Sequence, residues 1–344
     1  MSQFYIGGDY ANYDRRQGQR LFVSGDYVYF TADYLGLQII NVSDPSHPML
    51  TASYPTPTDA CDVFVKDSLA YLVCVNHQIP PPMILSSFHI LNIADPSNPI
   101  VLDTLSITSD ARAVWVQGNY AYVADDLSGL QVIDVSNPAD PFIVGHYQAG
   151  DYAIDVTVAG NYAFIAYGYH GMEVVDVTDP AHPVYVANWN SPDIFFFVGV
   201  TISGNYAFLT SNGRFYIVDI SYPTHPASLA YLQGDWYFGS DVSGNYAFVS
   251  ALVTGLRVID ISNPANPIPA GAYEVPDQIN DVAVSGDYAY VAGLDPNLSI
   301  VNISDPSDPH IVGSCSHIDP IITARPQPCG LFCQPETVRI NQWG

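Results

Sequence analysis

Three aspartates stand at one recurring place in the sequence: Asp62 in "DVFV", Asp155 in "DVTV" and Asp281 in "DVAV". Carboxylates that converge on one mouth could hold a hard cation such as Ca2+, or act as the acid and base of glycoside cleavage. A calcium ion takes about six to eight oxygens, more than three single positions supply, so capping of strand ends is the more economical reading. A second set comprises Asn41, Asn92, Asp134, Asp176, Asp219, Asp260 and Asn302, one in each copy of a repeated phrase. A single active site does not need a copy per repeat. These residues are expected to be structural hydrogen-bond acceptors that tie adjacent backbone where an unpaired polar group is costly. His47, His182 and His225 share a turn position, in "DPSHP", "DPAHP" and "YPTHP", and read as surface turn residues. The sequence has no G-x-S-x-G, H-E-x-x-H, P-loop or dinucleotide fingerprint. The nine histidines do not cluster, and the one lysine, Lys66, falls in a hairpin turn. The sequence assigns no catalytic residue and leans away from an enzyme.

The elements that must position these residues repeat along the chain. A proline-bearing turn recurs with its first proline at Pro45, Pro96, Pro138, Pro180, Pro223, Pro264 and Pro306. The spacing is about 42 residues, the period of four strands per propeller blade. A second phrase precedes each copy, as in "QGNYAYV" (117–123) and "SGDYAYV" (285–291). In the third unit, "RAVWVQG" (112–118) alternates apolar positions and Gly118-Asn119 makes a two-residue hairpin turn. "YAYVAD" (120–125) returns. "LQVIDVS" (130–136) is nearly continuously apolar, as in a strand covered on both faces. "NPADP" (137–141) turns into the last strand, "FIVGHY" (142–147), whose leading proline protects an outer edge.

The expected fold is therefore all-β: a single seven-bladed β-propeller with four antiparallel strands per blade. The ring spans 19–318, with blades at 19–59, 60–110, 111–151, 152–196, 197–237, 238–278 and 279–318. Residues 1–18 form an N-terminal segment in which "FYIGGDY" (4–10) resembles a fourth strand and is a candidate to close the ring. Residues 319–344 fit no repeat and form a tail.

The third-strand phrases "LQIIN" (37–41), "LQVID" (130–134), "MEVVD" (172–176), "FYIVD" (215–219), "LRVID" (256–260), "LSIVN" (298–302) and, more loosely, "FHILN" (88–92) resemble the LVIVD repeat. The resemblance covers roughly residues 19–314. It implies a β-propeller of the kind found in bacterial and archaeal cell-surface or secreted proteins, and says little about activity.

Function should lie where the units differ. The loops between strands two and three share one face with the loops between units, here the upper face. It carries the candidate ligand-binding aromatics Tyr34, Tyr152, Tyr167, Tyr169, Trp189, Phe195, Trp236, Tyr237 and Phe238, together with His170. Such platforms suit stacking on sugars or anchoring of a protein. The second unit has an excess of about nine residues in "NHQIPPPMILSS" (76–87), stiffened by prolines. Counting outward from its hairpin sets Cys61 opposite Cys74, a spacing that suits a disulfide and with it an oxidising compartment. The equivalent pair one unit on, Arg112 and Asp125, suits a cross-strand ion pair. Cys315, Cys329 and Cys333 offer an internal pair with one thiol left over, and a route to self-assembly.

Composition narrows the classes further. Lys and Arg total 9 against 34 Asp and Glu, a net charge of -25, which argues against nucleic acid and anionic membranes. No apolar run is long enough to span a bilayer; "IFFFVGVTI" (194–202) falls far short. "MSQFYIGGDY" lacks the features of a signal peptide, so an extracellular location implies a leader not present in this chain. The leading expectation is a non-enzymatic extracellular or cell-surface propeller that binds a glycan or protein on its upper face. No cofactor is expected beyond Ca2+ at Asp62, Asp155 and Asp281. The alternatives are a carbohydrate-active enzyme using mouth carboxylates and His170, and a structural subunit of an assembly.

Overall fold

Hairpins with glycine-led turns build the chain. In the computed structural model, which describes residues 19–75, 86–107, 109–148, 150–193, 195–274, 278–293 and 297–315, Gln117 pairs with Tyr120 across Gly118-Asn119. Gly118 has a φ of 61°, which a glycine adopts without strain. The second unit has no glycine at this place, and Asp67 takes the same conformation with a φ of 55°. Each returning strand is then covered on both faces: β10 (Tyr120–Ala124) and β11 (Leu130–Asp134) are almost wholly buried, whereas the outer β12 (Phe142–Tyr147) is half exposed.

The strands form six hydrogen-bonded sheets, not seven separate four-stranded ones. Five are four-stranded: β1–β4 (21–54), β5–β8 (59–107), β9–β12 (113–147), β13–β16 (155–189) and β23–β26 (279–315). The sixth is six-stranded, running in sequence order through β17 (Phe197–Ser203), β18 (Tyr206–Asp219), β19 (Ala227–Ser243), β20 (Tyr246–Ala251), β21 (Gly255–Asp260) and β22 (Ile268–Tyr273). Counting each sheet as one blade, the propeller is six-bladed, and the expectation of seven blades is corrected. The reason lies in two long strands. β18 (Tyr206–Asp219) runs on through "SNGR", where other units break for a loop. β19 (Ala227–Ser243) pairs with β18 through its first half and with β20 (Tyr246–Ala251) through its second. The fifth and sixth repeats are thereby fused into one sheet.

The cores lie between neighbouring units, because one face of a sheet cannot hide itself. Phe88 and Ile90 pack with Val114, Val123 and Ile133 between the second and third units. Phe208 and Phe215 pack with Tyr237 and Val249 inside the six-stranded sheet. The ring closes in the same way: Val28, Phe30 and Ile40 pack against Tyr290, Leu298 and Ile300. A Cβ added to Gly313 of the last unit would run into the Pro45 carbonyl of the first, so only glycine permits this approach. Both sheets at the junction are internally complete, so closure among the described residues is by packing and side-chain bonds. The candidate closing strand at 4–10, most of the proline-rich insertion (76–85), Cys329, Cys333 and the tail at 319–344 lie outside the described residues.

Cys61 and Cys74 are free and buried, not a disulfide. A β-bulge explains the departure from the expected register: Ala60 pairs with Cys74 and Asp62 with Val73, leaving Cys61 out of register. The two thiols enter different cores on opposite faces of their sheet. Burial pushes both well above the ordinary thiol range. Arg112 likewise does not pair with Asp125. Its guanidinium meets Asp126 at 2.9 Å and Asp110 at 3.7 Å, and Asp125 accepts a hydrogen bond from Gln131.

Candidate functional site

The axis of the ring is lined by the first strand of each repeat, and one edge of each such strand has no neighbouring strand to pair with. Its backbone N–H and C=O groups need partners from elsewhere. Side chains of the adjacent unit supply them. Asp62 Oδ2 accepts from Val114 N at 2.8 Å. Gln117 Nε2 donates to Gly160 O at 2.7 Å. Asp155 Oδ2 accepts from Val200 N at 2.9 Å, and Thr157 Oγ1 donates to Val200 O at 2.7 Å. Thr201 Oγ1 donates to Ser240 O at 2.7 Å, and Asp241 Oδ2 accepts from Val284 N at 2.7 Å. Asp281 Oδ2 accepts from Leu21 N at 3.0 Å across the ring closure, and Thr31 Oγ1 donates to Cys61 O at 3.2 Å. The junctions around the ring are thus stitched by side chain to backbone bonds.

These bonds place Asp62, Asp155 and Asp281 at the mouth with their oxygens engaged. The other oxygen of Asp62 and of Asp155 accepts from the next residue's own N–H. Sequence reasoning missed Arg20, which shares their level. Its guanidinium comes within 3.9 Å of Asp155 Oδ2. Burial pushes Asp62 up to about 7 and Asp281 up to about 6, while the positive charge of Arg20 pulls both back. Among the described residues no group of three or more His, Cys, Asp or Glu is arranged to hold a metal ion. The arrangement is a cation among three strand-stitching carboxylates. The signal for Arg20 was available: it stands five positions before the hairpin residue Gly25, as Asp62 does before Asp67, Asp155 before Gly160 and Asp281 before Gly286. Gly239 occupies the same column, and a Cβ there would strike the Asp281 carboxylate.

Below this level lies a cavity of about 290 Å³. Phe22, Phe64 and Trp115 form one arc of its wall, with ring centroids 4.9 Å apart at each step. Thr157, Thr201 and Asp241 form the facing arc. Burial raises the Asp241 carboxyl above its usual range.

The upper-face aromatics divide. Tyr167, Trp189 and Tyr237 are buried and pack the fold. Trp189 meets Phe197 and Tyr216 edge-on and donates Nε1 to Ser228 Oγ at 2.8 Å. Phe238 is also buried, and Phe195 lies under the Arg214 guanidinium at 4.6 Å. By contrast Tyr34, Tyr152, Tyr169 and Trp236 are exposed, at 73, 38, 38 and 45 %. Leu127 and Val253, on loops between second and third strands, add exposed aliphatic surface. His170 Nδ1 lies 2.7 Å from Asp151 Oδ2, which also accepts from Tyr169 N. The repeated Asp/Asn set is on the opposite face, only half buried. Each accepts from a backbone N–H two residues on, as Asp134 from Ser136 and Asn302 from Ser304, so the tie is within its own turn. His47 and His182 are exposed and pair with the turn acids Asp44 and Asp179.

No curated protein matches the sequence. Among solved structures, the chain is similar to a functionally unknown protein from Desulfotomaculum acetoxidans DSM 771, with a TM-score of 0.61 and 14% identity over 73% of this chain and 84% of that one. It is also similar to the WD40 β-propeller domain of Doa1, with a TM-score of 0.68 and 11% identity over 84% and 93%. The computationally designed Ika8 protein matches with a TM-score of 0.57 and 10% identity over 83% and 96%. At these identities the likeness concerns the fold. The LVIVD repeat model matches residues 15–56, 109–149, 150–191, 198–230, 241–275 and 278–317. With more than half its length in six such matches, the chain belongs to the LVIVD repeat family.

Proposed function

We infer that this propeller is a non-enzymatic recognition protein that engages a protein partner with its upper face. A β-propeller of LVIVD repeats points in general to a binding or scaffold protein. The observation that carries the finer reading is the distribution of exposed apolar side chains. Tyr34, Leu127, Tyr152, Tyr169 and Val253 lie on loops and Trp236 in β19, and together they come from the first, third, fourth and fused fifth and sixth units. A surface that broad, with aliphatic as well as aromatic contacts, fits a folded partner better than a short glycan. The mouth carboxylates are occupied with backbone N–H groups, which favours binding over acid–base catalysis. The glycan reading keeps one specific support, the Tyr152, Tyr169, His170 and Asp151 group on the fourth unit. Among the described residues no helix is long and apolar enough to cross a membrane. A cell-surface location is part of the proposal; without the disulfide it rests on the family resemblance and the charge of -25.

The test is parallel capture with the wild-type chain and a Tyr34→Ser, Leu127→Ser, Trp236→Ser variant, together with a glycan array. A protein retained by the wild type and reduced at least about tenfold by the variant is expected, since truncating central apolar anchors costs roughly 2 kcal/mol or more each. Saturable glycan binding with no protein captured would overturn the reading.

A further inference from the structure

We propose that the axial cavity is a binding site for a small organic ammonium cation. The site is separate from the upper rim, and the proposal does not depend on the protein partner inferred there.

The cavity is asymmetric where the repeat would allow symmetry. One column of the first strands, three positions before the hairpin, reads Phe22, Phe64, Trp115, Thr157, Thr201, Asp241 and Ala283 around the axis. Three successive aromatics therefore face two hydroxyls and a carboxylate across a space of about 290 Å³. The volume is close to the low end of small-molecule sites, roughly 300 Å³. Phe22, Phe64 and Trp115 remain only partly buried. Rings presented as an arc attract a cation through their negative faces.

Charge decides the sign of the ligand. Four carboxylates, of Asp62, Asp155, Asp241 and Asp281, line the cavity with one guanidinium, that of Arg20. An anion would meet an excess of like charge. A bare metal ion finds no ligand set among the described residues. Thr157 and Thr201 direct their hydroxyl protons to backbone carbonyls, so what they offer a ligand is an acceptor oxygen. An alkyl- or aryl-ammonium group satisfies all three conditions: it is positive, apolar in body and able to donate.

Isothermal titration calorimetry with benzylammonium, benzyl alcohol and benzoate tests this on the full chain. Saturable one-to-one binding of the cation is expected, with benzoate silent and benzyl alcohol at least tenfold weaker. Asp241→Asn should weaken the cation at least fivefold and Trp115→Leu at least tenfold. Circular dichroism checks the fold of each variant, and Phe64→Leu replaces any that unfolds. No saturable binding to millimolar concentration, equal binding of benzyl alcohol, or affinity unchanged in the folded variants would overturn the proposal.

Discussion

Replacing Arg20 by methionine is expected to lower the unfolding free energy by about 3 kcal/mol at pH 8, and by much less at pH 5. Removing one partner from a buried ion cluster leaves uncompensated charge, which costs about 3–5 kcal/mol. The lower figure applies because Arg20 retains 20% of its side-chain exposure and its approach to Asp155 is long, at 3.9 Å. The pH dependence follows from what remains. Asp62 and Asp281 already sit near 7 and 6 through burial, with Arg20 opposing the rise. Without Arg20 both move further up and take protons as the pH falls, which removes the stranded charge. Urea denaturation at the two pH values measures the difference. An equal loss at both, or none, would show that Arg20 does not act through these carboxylates.

The wild-type chain should itself gain stability as the pH falls from 8 to about 5. Burial raises Asp62 and Asp125 to about 7, and Asp33 and Asp281 to about 6. Their folded values lie above the ordinary unfolded value of 3.8. The folded state therefore binds more protons than the unfolded chain between about pH 4 and 7, and stability must decrease as pH rises through that window. From pH 8 to 5 these groups together are worth on the order of 8 kcal/mol, since a tenfold change in proton affinity between the two states is worth about 1.4 kcal/mol, and buried His89, held down to about 4, offsets part of it. Repulsion at a net charge of -25 acts in the same direction. The exposed turn acids Asp44, Asp95, Asp179, Asp219, Asp260 and Asp305 act oppositely, since hydrogen bonds from Ser46, Ser97, His182, Ser221, Ser262 and Ser307 hold them below the usual range. Their contribution is present above the unfolded value and is lost only as pH falls below about 4. A melting temperature at least about 5 °C higher at pH 5 than at pH 8 is the expected result. Asp125→Asn should flatten the slope. A melting temperature that climbs with pH over this range would contradict the burial of these acids.

Much of this architecture is written in the repeat itself. The Gly-Asn and Gly-Asp hairpins, the doubly covered third strand and the proline-led outer strand each have a local cause, so reading one unit reads the others. The fused sheet was not legible, because continuity of β18 through "SNGR" and of β19 through Trp236 depends on pairing partners rather than on local turn residues. The Cys61–Cys74 pairing failed for a related reason: a bulge at Ala60–Asp62 moves the register by one residue without any mark in the sequence. Exposure was equally hidden. Tyr167 and Tyr169 are two residues apart, yet one is buried and the other open. The column holding Asp62, Asp155 and Asp281 was legible, but searching it for carboxylates alone passed over Arg20.

The central claim is that the mouth aspartates hold neighbouring inner strands together through their backbone N–H groups. Amide hydrogen exchange at Val114, Val200 and Leu21 measures it directly, in the wild type and in Asp62→Ala, Asp155→Ala and Asp281→Ala. Each substitution is expected to deprotect its own partner, Val114, Val200 or Leu21 respectively, at least about tenfold, since the lost bond to a charged group is worth roughly 1.5–3 kcal/mol. Protection that is unchanged in all three, with Ca2+ stabilising the wild type but not the variants, would contradict it.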